Sequence, residues 1–507
     1  MTKSTTKKGG AKKPVAKKTT KRTAKPAARS GLVATLGRLK ADQTLMARLF
    51  LGIAVILALS YVLGVYAAFT TSLIPGKYLG LGFLLSFVFT IGVVYALTKR
   101  GPAAPYSRLV VVMALVGIVV NVVVFSAGTS TRNFINSLHQ TDGQNYTDYA
   151  IVALKKNAVS LTAPNQAVNV LQTDNTSAMQ TALRQHTSAR IQPVATPTDS
   201  ILGLQDGRAQ MAVLTVAYLD DLREQSNNAL YLELEILATF RVKVPASTTT
   251  KTNVNEPFAV YISGLDTYGA ITTTSRSDVN ILAVINPKSH TILFVNTPRD
   301  YYVQLHGTTG VKDKLTHAGL YGIDQSQKTL EDLYGIPINY NVKINFTSLE
   351  KIVDTLGGIG VESEYNFSSG GYSFVQGMNQ LNGKQALAFS RERYSFEGGD
   401  RTRGQNQMRV LTALVQKLSK PSVVVNYQQI LQALSGVFQT NMPTSDLTSL
   451  VRRQLDSLAT WQVTSMSVDG TGASLPTYST GSQRLYVMIP DETSLNSAKN
   501  KINSVLH

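Results

Sequence analysis

The sequence predicts an α/β protein held in a membrane: three transmembrane helices, a small α/β accessory domain, then a larger α/β domain whose mixed central sheet is flanked by helices. Three observations predict it. Three apolar stretches of bilayer length carry no charge. Strand-like and helix-like patterns alternate from residue 148 onward. In the second half of the chain, charged residues stand where apolar strands end, which is where α/β folds build their sites.

Residues 1–47 form a basic, low-complexity tail. Residues 1–40 hold thirteen Lys and Arg and no acid; the net charge is +18, so the remainder carries +5. With little apolar surface to bury, the tail is expected to be disordered. Attraction to an anionic inner leaflet, together with topology setting, is the main reading of it. Sequence-independent, salt-sensitive nucleic-acid binding is the other. The chain has no cysteine, which excludes disulfides, thiolate metal sites and a cysteine nucleophile.

The spans fall within residues 48–131. Leu49–Gly76, Tyr78–Thr98 and Leu109–Thr131 are uncharged, and each meets the roughly 20 residues a bilayer core requires. Lys99, Arg100 and Arg108 lie in the second loop, and the tail before the first span is strongly basic. The positive-inside rule then puts the N-terminus in the cytoplasm and everything after the third span outside a multi-pass cell membrane. Nucleic acid is not the expected partner of that outer part.

Residues 132–147 read as a polar connector. The accessory domain, 148–245, alternates strands ("DYAIVALK", "ARIQPVA", "AQMAVLTVAYL") with helices ("AMQTALRQ", "DSILGLQDG"). A Thr/Asn-rich linker occupies 246–256. The larger domain, 257–507, opens on the strands "FAVYISGLD", "SDVNILAVINP" and "TILFVNTPRD". "TLEDLYG", "FTSLEKIVDTLGG" and "DRTRGQNQMRVLTALVQKL" are helical, and "GKQALAFSRERY" is expected to lead into a further strand.

Charged residues in this domain converge by position. Asp266 ends one strand, Arg276 and Asp278 flank the next, and Arg299 ends the third. Arg391 and Arg393, two apart, would share a face on a strand. Asp400 is placed to cap the last of those helices. Arg403 and Gln407, four apart, share a face near its N-terminus, which favours anions. Arginines aimed at one place suit a dense anion such as a diphosphate, held by guanidinium forks. Two aspartates beside such a cluster call for a divalent cation, since Mg²⁺ takes one or two carboxylates plus phosphate oxygens. Arg401, Arg409 and the scattered His290, His306 and His317 read as surface or structural residues.

Together "ISGLD…SRSDVNILAVINPKSHTILFVNTPRD", "DKLTHAGLYG", "VDTLGGIGVE", "LNGKQALAFSRER" and "GDRTRGQNQMRVLTAL" resemble the LytR-CpsA-Psr (LCP) family of cell-wall phosphotransferases. The resemblance covers about 257–420. The three spans and accessory domain resemble its capsule-attachment branch. It implies an LCP-type catalytic domain that moves a glycopolymer from a polyprenyl-pyrophosphate carrier to a wall acceptor such as peptidoglycan, through a phosphodiester. It implies that Asp266 and Asp278 hold Mg²⁺, with Mn²⁺ as the alternative ion. Arg299, Arg391, Arg393, Arg403 and Gln407 would bind the pyrophosphate, Lys314 would line the site, and Arg276 and Asp400 would support it. Asp266, Asp278, Arg391 and Arg393 would form the catalytic group, and the lipid tail would fill an apolar channel. Asn296, His317 and Gln405 depart from the family's usual residues. Two further readings stay open: a non-catalytic regulator of wall assembly that binds phosphorylated polymer, and a polyprenyl-pyrophosphate hydrolase.

Overall fold

The computed structural model describes residues 28–71, 76–100, 105–140, 145–172, 176–224, 229–244, 252–265, 271, 274–420 and 436–507. Residues 1–27, Asp266 and most of the 246–256 linker lie outside the described residues. The chain divides into two compact units, one taking in residues up to 63 with 84–122, the other 64–83 with 123–507.

The N-terminal part forms three helices, α1 (Ala28–Thr71), α2 (Gly76–Tyr95) and α3 (Ser107–Gln140). Stretches Thr44–Thr70, Leu79–Lys99 and Ser107–Asn133 are long and apolar enough to cross a membrane. In the first unit Ala54, Leu57, Val93, Leu97 and Ala114 pack together. Leu59, Val88 and Val119 face outward, as suits contact with lipid. Asn121 donates to the Ser60 hydroxyl at 3.2 Å, which gives two polar groups a partner within an apolar bundle. Helix α1 already includes residues 28–47, so that part of the expected disordered tail is helical. A helix satisfies its own backbone groups and needs no buried face to do so. Likewise α3 runs through Gln140, into the segment read as connector.

The remainder is mixed α/β. The smaller module contains β1 (Asn145–Leu154), β2 (Ala167–Leu171), α4 (Ser177–Leu183), β3 (Arg190–Val194), α5 (Pro197–Gln205), β4 (Met211–Thr215), α6 (Val216–Glu224), α7 (Ala229–Leu232) and β5 (Leu234–Val244). Its sheet order is β3-β2-β4-β1-β5, with β2 parallel to β3 and β4, and β1 antiparallel to β4 and β5. Strands β2 and β4 are buried along their whole length and covered on both faces, which is why β4 reads as an apolar run, while β2 also carries the buried Asn169.

The larger module begins with β6 (Phe258–Leu265), β7 (Ser277–Asn286), β8 (Thr291–Asn296), β9 (Tyr302–Val303) and β10 (Asp313–Lys314). Then come α8 (Leu315–Ala318), a tight turn at Gly319–Tyr321, α9 (Ile323–Tyr334), β11 (Tyr340–Asn345) and α10 (Phe346–Thr355). Two small antiparallel pairs follow, built from β12 (Ile359–Ser363), β13 (Phe367–Ser369), β14 (Tyr372–Phe374) and β15 (Gly377–Leu381). Helices α11 (Gly383–Arg391) and α12 (Asp400–Leu418) come next. The chain ends with β16 (Gln439–Thr440), α13 (Thr444–Ser457), β17 (Gln462–Ser467), β18 (Gly470–Thr477), β19 (Gly481–Pro490) and α14 (Glu492–Leu506). The central sheet is mixed, in the order β16-β11-β6-β7-β8-β17.

Both faces of this sheet are core. On β7, Leu282 and Val284 join Leu330 of α9 and Ile502 of α14 on one side. Ile281 and Ala283 point the other way, towards Met408 of α12. The period of two is the strand's own. Helices packed on each side account for strands apolar on both faces; the side facing α12 also contributes to a cavity.

Two local readings need correction. "GKQALAFSRERY" is helix up to Arg391, not the approach to a strand. A capping box starts it: the Asn382 side chain accepts from the Gln385 N–H, and the Gln385 side chain accepts from the Asn382 N–H. Its Leu387 and Phe389 are buried. Asp400 is not a cap but the first residue of α12; Gly399, at φ +49°, precedes it in a conformation that few other residues adopt.

Lys343 on β11 is largely sunk into the fold, and burial lowers its ammonium to about 8. Between that pH and the ordinary value near 10.4, the unfolded chain holds a proton that the folded chain has lost. This group's contribution to stability therefore rises with pH across that window, by up to about 1.4 kcal/mol per unit. Lys343→Met is expected to flatten the rise. Melting temperatures from pH 7.5 to 10 check this, and equal slopes in the two proteins would discard it.

Candidate active site

A cavity of about 760 Å³ opens between the ends of β6, β7 and β11 and the helices α10, α11 and α12. Its walls are of two kinds. Ile262, Ile281, Ile344, Leu349, Leu387 and Val410 form an apolar part. Asp278, Arg299, Arg391, Arg393, Arg403 and Gln407 bring charge and hydrogen-bonding capacity to the same cavity. These six are among the residues expected from the sequence, brought in from β7, the turn after β8, the end of α11 and the start of α12.

Asp278 stands near the start of β7 and is almost fully buried. One carboxylate oxygen accepts from the Thr316 hydroxyl at 2.9 Å. The other meets Arg299 Nη1 at 2.9 Å. Arg299 stands three residues past the end of β8, in line with the β7–β8 register that pairs Ile281 with Asn296, so the register brings it to Asp278. Asp300, between β8 and β9, pairs with Lys314 of β10, and Lys314 is not among the residues lining the cavity.

Arg391, at the C-terminus of α11, lays its guanidinium over the Phe346 ring at 4.2 Å. That is a cation–π seat at the cavity wall. Arg393 donates to the Tyr394 hydroxyl at 2.5 Å, and Tyr394 is 84% exposed. Between them Glu392 is bent back: burial pushes its carboxyl up, but hydrogen bonds, the Ser395 N–H first among them, outweigh this and hold it below its ordinary value.

Helix α12 presents Arg403 and Gln407 one turn apart. Arg403 pairs with Asp400 one turn earlier. Burial raises the Asp400 carboxyl above its ordinary value, with the Arg403 charge opposing. Asp400 thus acts beside the cavity wall rather than in it. Arg276 is also outside the lining, because its guanidinium meets Asp221 of the smaller module at 2.8 Å. Arg401 pairs with Asp469 at the surface. His317 is buried against Asp313 at 2.6 Å, and His306 meets Asp332. Sequence reasoning missed Thr316, Asp300 and Phe346. Thr316 and Asp300 each adjoin a residue it weighed, whereas Phe346 carried no signal beyond opening a helix.

Among the described residues no three His, Asp or Glu side chains gather as a metal cage. Asp278 nonetheless suits a hard cation that brings phosphate ligands with it. Each of its oxygens has one protein partner and a second lone pair to offer. Asp266, the other carboxylate expected to take part, lies outside the described residues.

The larger module is thus a mixed α/β fold with a cavity apolar along one part and lined by arginines along another. The LytR_cpsA_psr family profile matches residues 233–504, and the chain belongs to that family. It is similar to an Enterococcus faecalis protein named polyisoprenyl-teichoic acid–peptidoglycan teichoic acid transferase TagU, 39% identical over 198 residues, 38% of this chain and 65% of that one. The Bacillus subtilis protein of the same name is 36% identical over 191 residues, 38% and 61% of the two chains. The chain thus spans less than two thirds of the length of each. Among solved structures, B. subtilis TagV shares 28% identity at a TM-score of 0.43, covering 50% of this chain and 98% of that one. TagT bound to LI-WTA shares 27% at 0.41, covering 51% and 94%.

Proposed function

We propose that this protein is a membrane-anchored phosphotransferase that moves a glycopolymer from a polyprenyl-pyrophosphate carrier to a cell-wall acceptor, peptidoglycan first among candidates, on the outer face of the membrane. The observation that carries the reading is the two-part cavity, whose apolar walls suit a prenyl chain and whose arginines suit a diphosphate. The names of the relatives describe transfer of this kind, and three helices of spanning length fit an enzyme working on a lipid carrier. The basic loop flanking the second and third helices supports the outward orientation.

Arg299, Arg391, Arg393 and Arg403 would hold the diphosphate and offset the charge on its leaving half. Gln407 would donate to a phosphate oxygen. Asp278, with Asp266, would hold Mg²⁺ or Mn²⁺. The ion would supply neutralisation of charge on the transferred phosphoryl group. The acceptor's hydroxyl oxygen bonds to the phosphorus that carries the glycan and releases its proton to solvent, the P–O–P bridge breaks, and polyprenyl phosphate leaves. With water in the acceptor's place the same geometry would hydrolyse the carrier.

The test uses the full chain in detergent micelles with a polyprenyl-pyrophosphate-linked glycan, with and without peptidoglycan fragments, at several Mg²⁺ concentrations. Metal-dependent transfer is expected, falling about 100-fold in Arg391→Ala, the order reached when a transition-state charge stabiliser is lost. Binding without turnover in any arm would favour the regulator. Release of phosphate without transfer to wall fragments would favour the hydrolase.

A further inference from the structure

The smaller module presses on the segment that leads into Asp278. Asp221 lies on α6, and its side chain is only 2% exposed, while Arg276 is 28% exposed. A carboxylate that deep is costly unless it is paired, and the counter-charge comes from the other module. Tyr218, one turn earlier on α6, donates its hydroxyl to the Ser479 carbonyl at 2.7 Å. Helix α6 is thereby pinned to the larger module at two points. A separate contact reaches the same segment. Leu320 is buried within the smaller module's core. Its neighbour Gly319 lies so close that a Cβ there would stand 2.6 Å from Ser277 N and 2.7 Å from Ser275 O. Residues 275–277 are thus clamped from two sides, immediately before the carboxylate that faces the cavity.

We propose that Asp221 is a positioning residue for the diphosphate site: by holding Arg276 it sets the direction of that cation and the start of β7, and so makes the smaller module a working part of the site. This rests on the reading of the cavity given above. The role is electrostatic as well as steric. Asp221 offsets the positive charge of Arg276 and holds its guanidinium out of the cavity, so that the residues just before Asp278 keep their place.

The test measures binding of geranylgeranyl pyrophosphate and of geranylgeraniol to the full chain in micelles, for the parent, Asp221→Asn, Asp221→Glu, Arg276→Gln and the double variant. Asp221→Asn is expected to weaken the diphosphate about tenfold and leave the alcohol unchanged, and Asp221→Glu to recover most of the loss. In the Arg276→Gln background, Asp221→Asn should add nothing, since the two act as a unit. Should Asp221→Asn alone fold poorly, the double variant, which leaves no unpaired charge, is compared with Arg276→Gln instead. An unchanged diphosphate affinity, equal losses for both probes, or full additivity would overturn the proposal. A parent protein that does not prefer the diphosphate over the alcohol would overturn the reading of the cavity itself and this inference with it.

Discussion

Arg299→Ala is expected to abolish measurable transfer and to lower the stability of the larger module by about 2–3 kcal/mol, somewhat under the usual cost of leaving one member of a buried ion pair alone. The reduction reflects the partial exposure of the arginine, 18% against 8% for its partner. Asp278 would keep only the Thr316 hydroxyl as a described hydrogen-bond partner. Its carboxylate would then face the cavity with less to oppose its charge, just where an anionic substrate must approach. Arg299→Lys tests which property matters. Lysine restores a positive charge but not the planar fork, so it should recover most of the stability and little of the activity. Melting temperature and turnover, measured on the same preparations, separate the two. Activity near the parent level in Arg299→Ala would remove this residue from the diphosphate site.

How legible this site was in the sequence differs residue by residue. Asp278 and Arg299 were legible because they end or begin strands whose apolar runs are unambiguous, and adjacent antiparallel strands bring such ends together. Arg403 and Gln407 were legible from helical spacing. Arg391 lines the cavity, but from the end of a helix rather than from the expected strand. The Asn382 and Gln385 pair that starts α11 is a local signal, and it outweighed the look of "ALAFSRER" as a strand. The three apolar helices and the mixed α/β class were legible from length and periodicity alone. What no local pattern could show is pairing between modules. Asp221 sits in the charged stretch "DDLREQ", yet it is buried, and its counter-charge Arg276 comes from another module. Arg276 and Lys314 were expected at the cavity, but each meets a carboxylate that turns it aside.

Gly319→Ala should cost about 2–3 kcal/mol, as overpacking of a filled site does, and should depress activity as strongly as the loss of a charged site residue. Propensity argues the reverse. Gly319 has φ −62°, an ordinary helical value, and in an open helix alanine would be favoured by about 1 kcal/mol. The obstacle is space. The added methyl would meet Ser277 N at 2.6 Å and Ser275 O at 2.7 Å, and would stand 3.1 Å from the Arg276 carbonyl carbon. All three are backbone atoms, so no side chain can rotate away. Either residues 275–277 move or the turn at Gly319–Tyr321 does. If the first moves, Asp278 leaves its register with Arg299; if the second moves, Leu320 is drawn out of the smaller module's core. Urea titration of the full chain in micelles, followed beside turnover, distinguishes them. Lost activity with a modest shift in midpoint means the strand start has yielded, whereas a large shift with early protease cleavage means the modules have come apart. A variant equal to the parent in both would show that the close approach of this turn to β7 does not constrain the site.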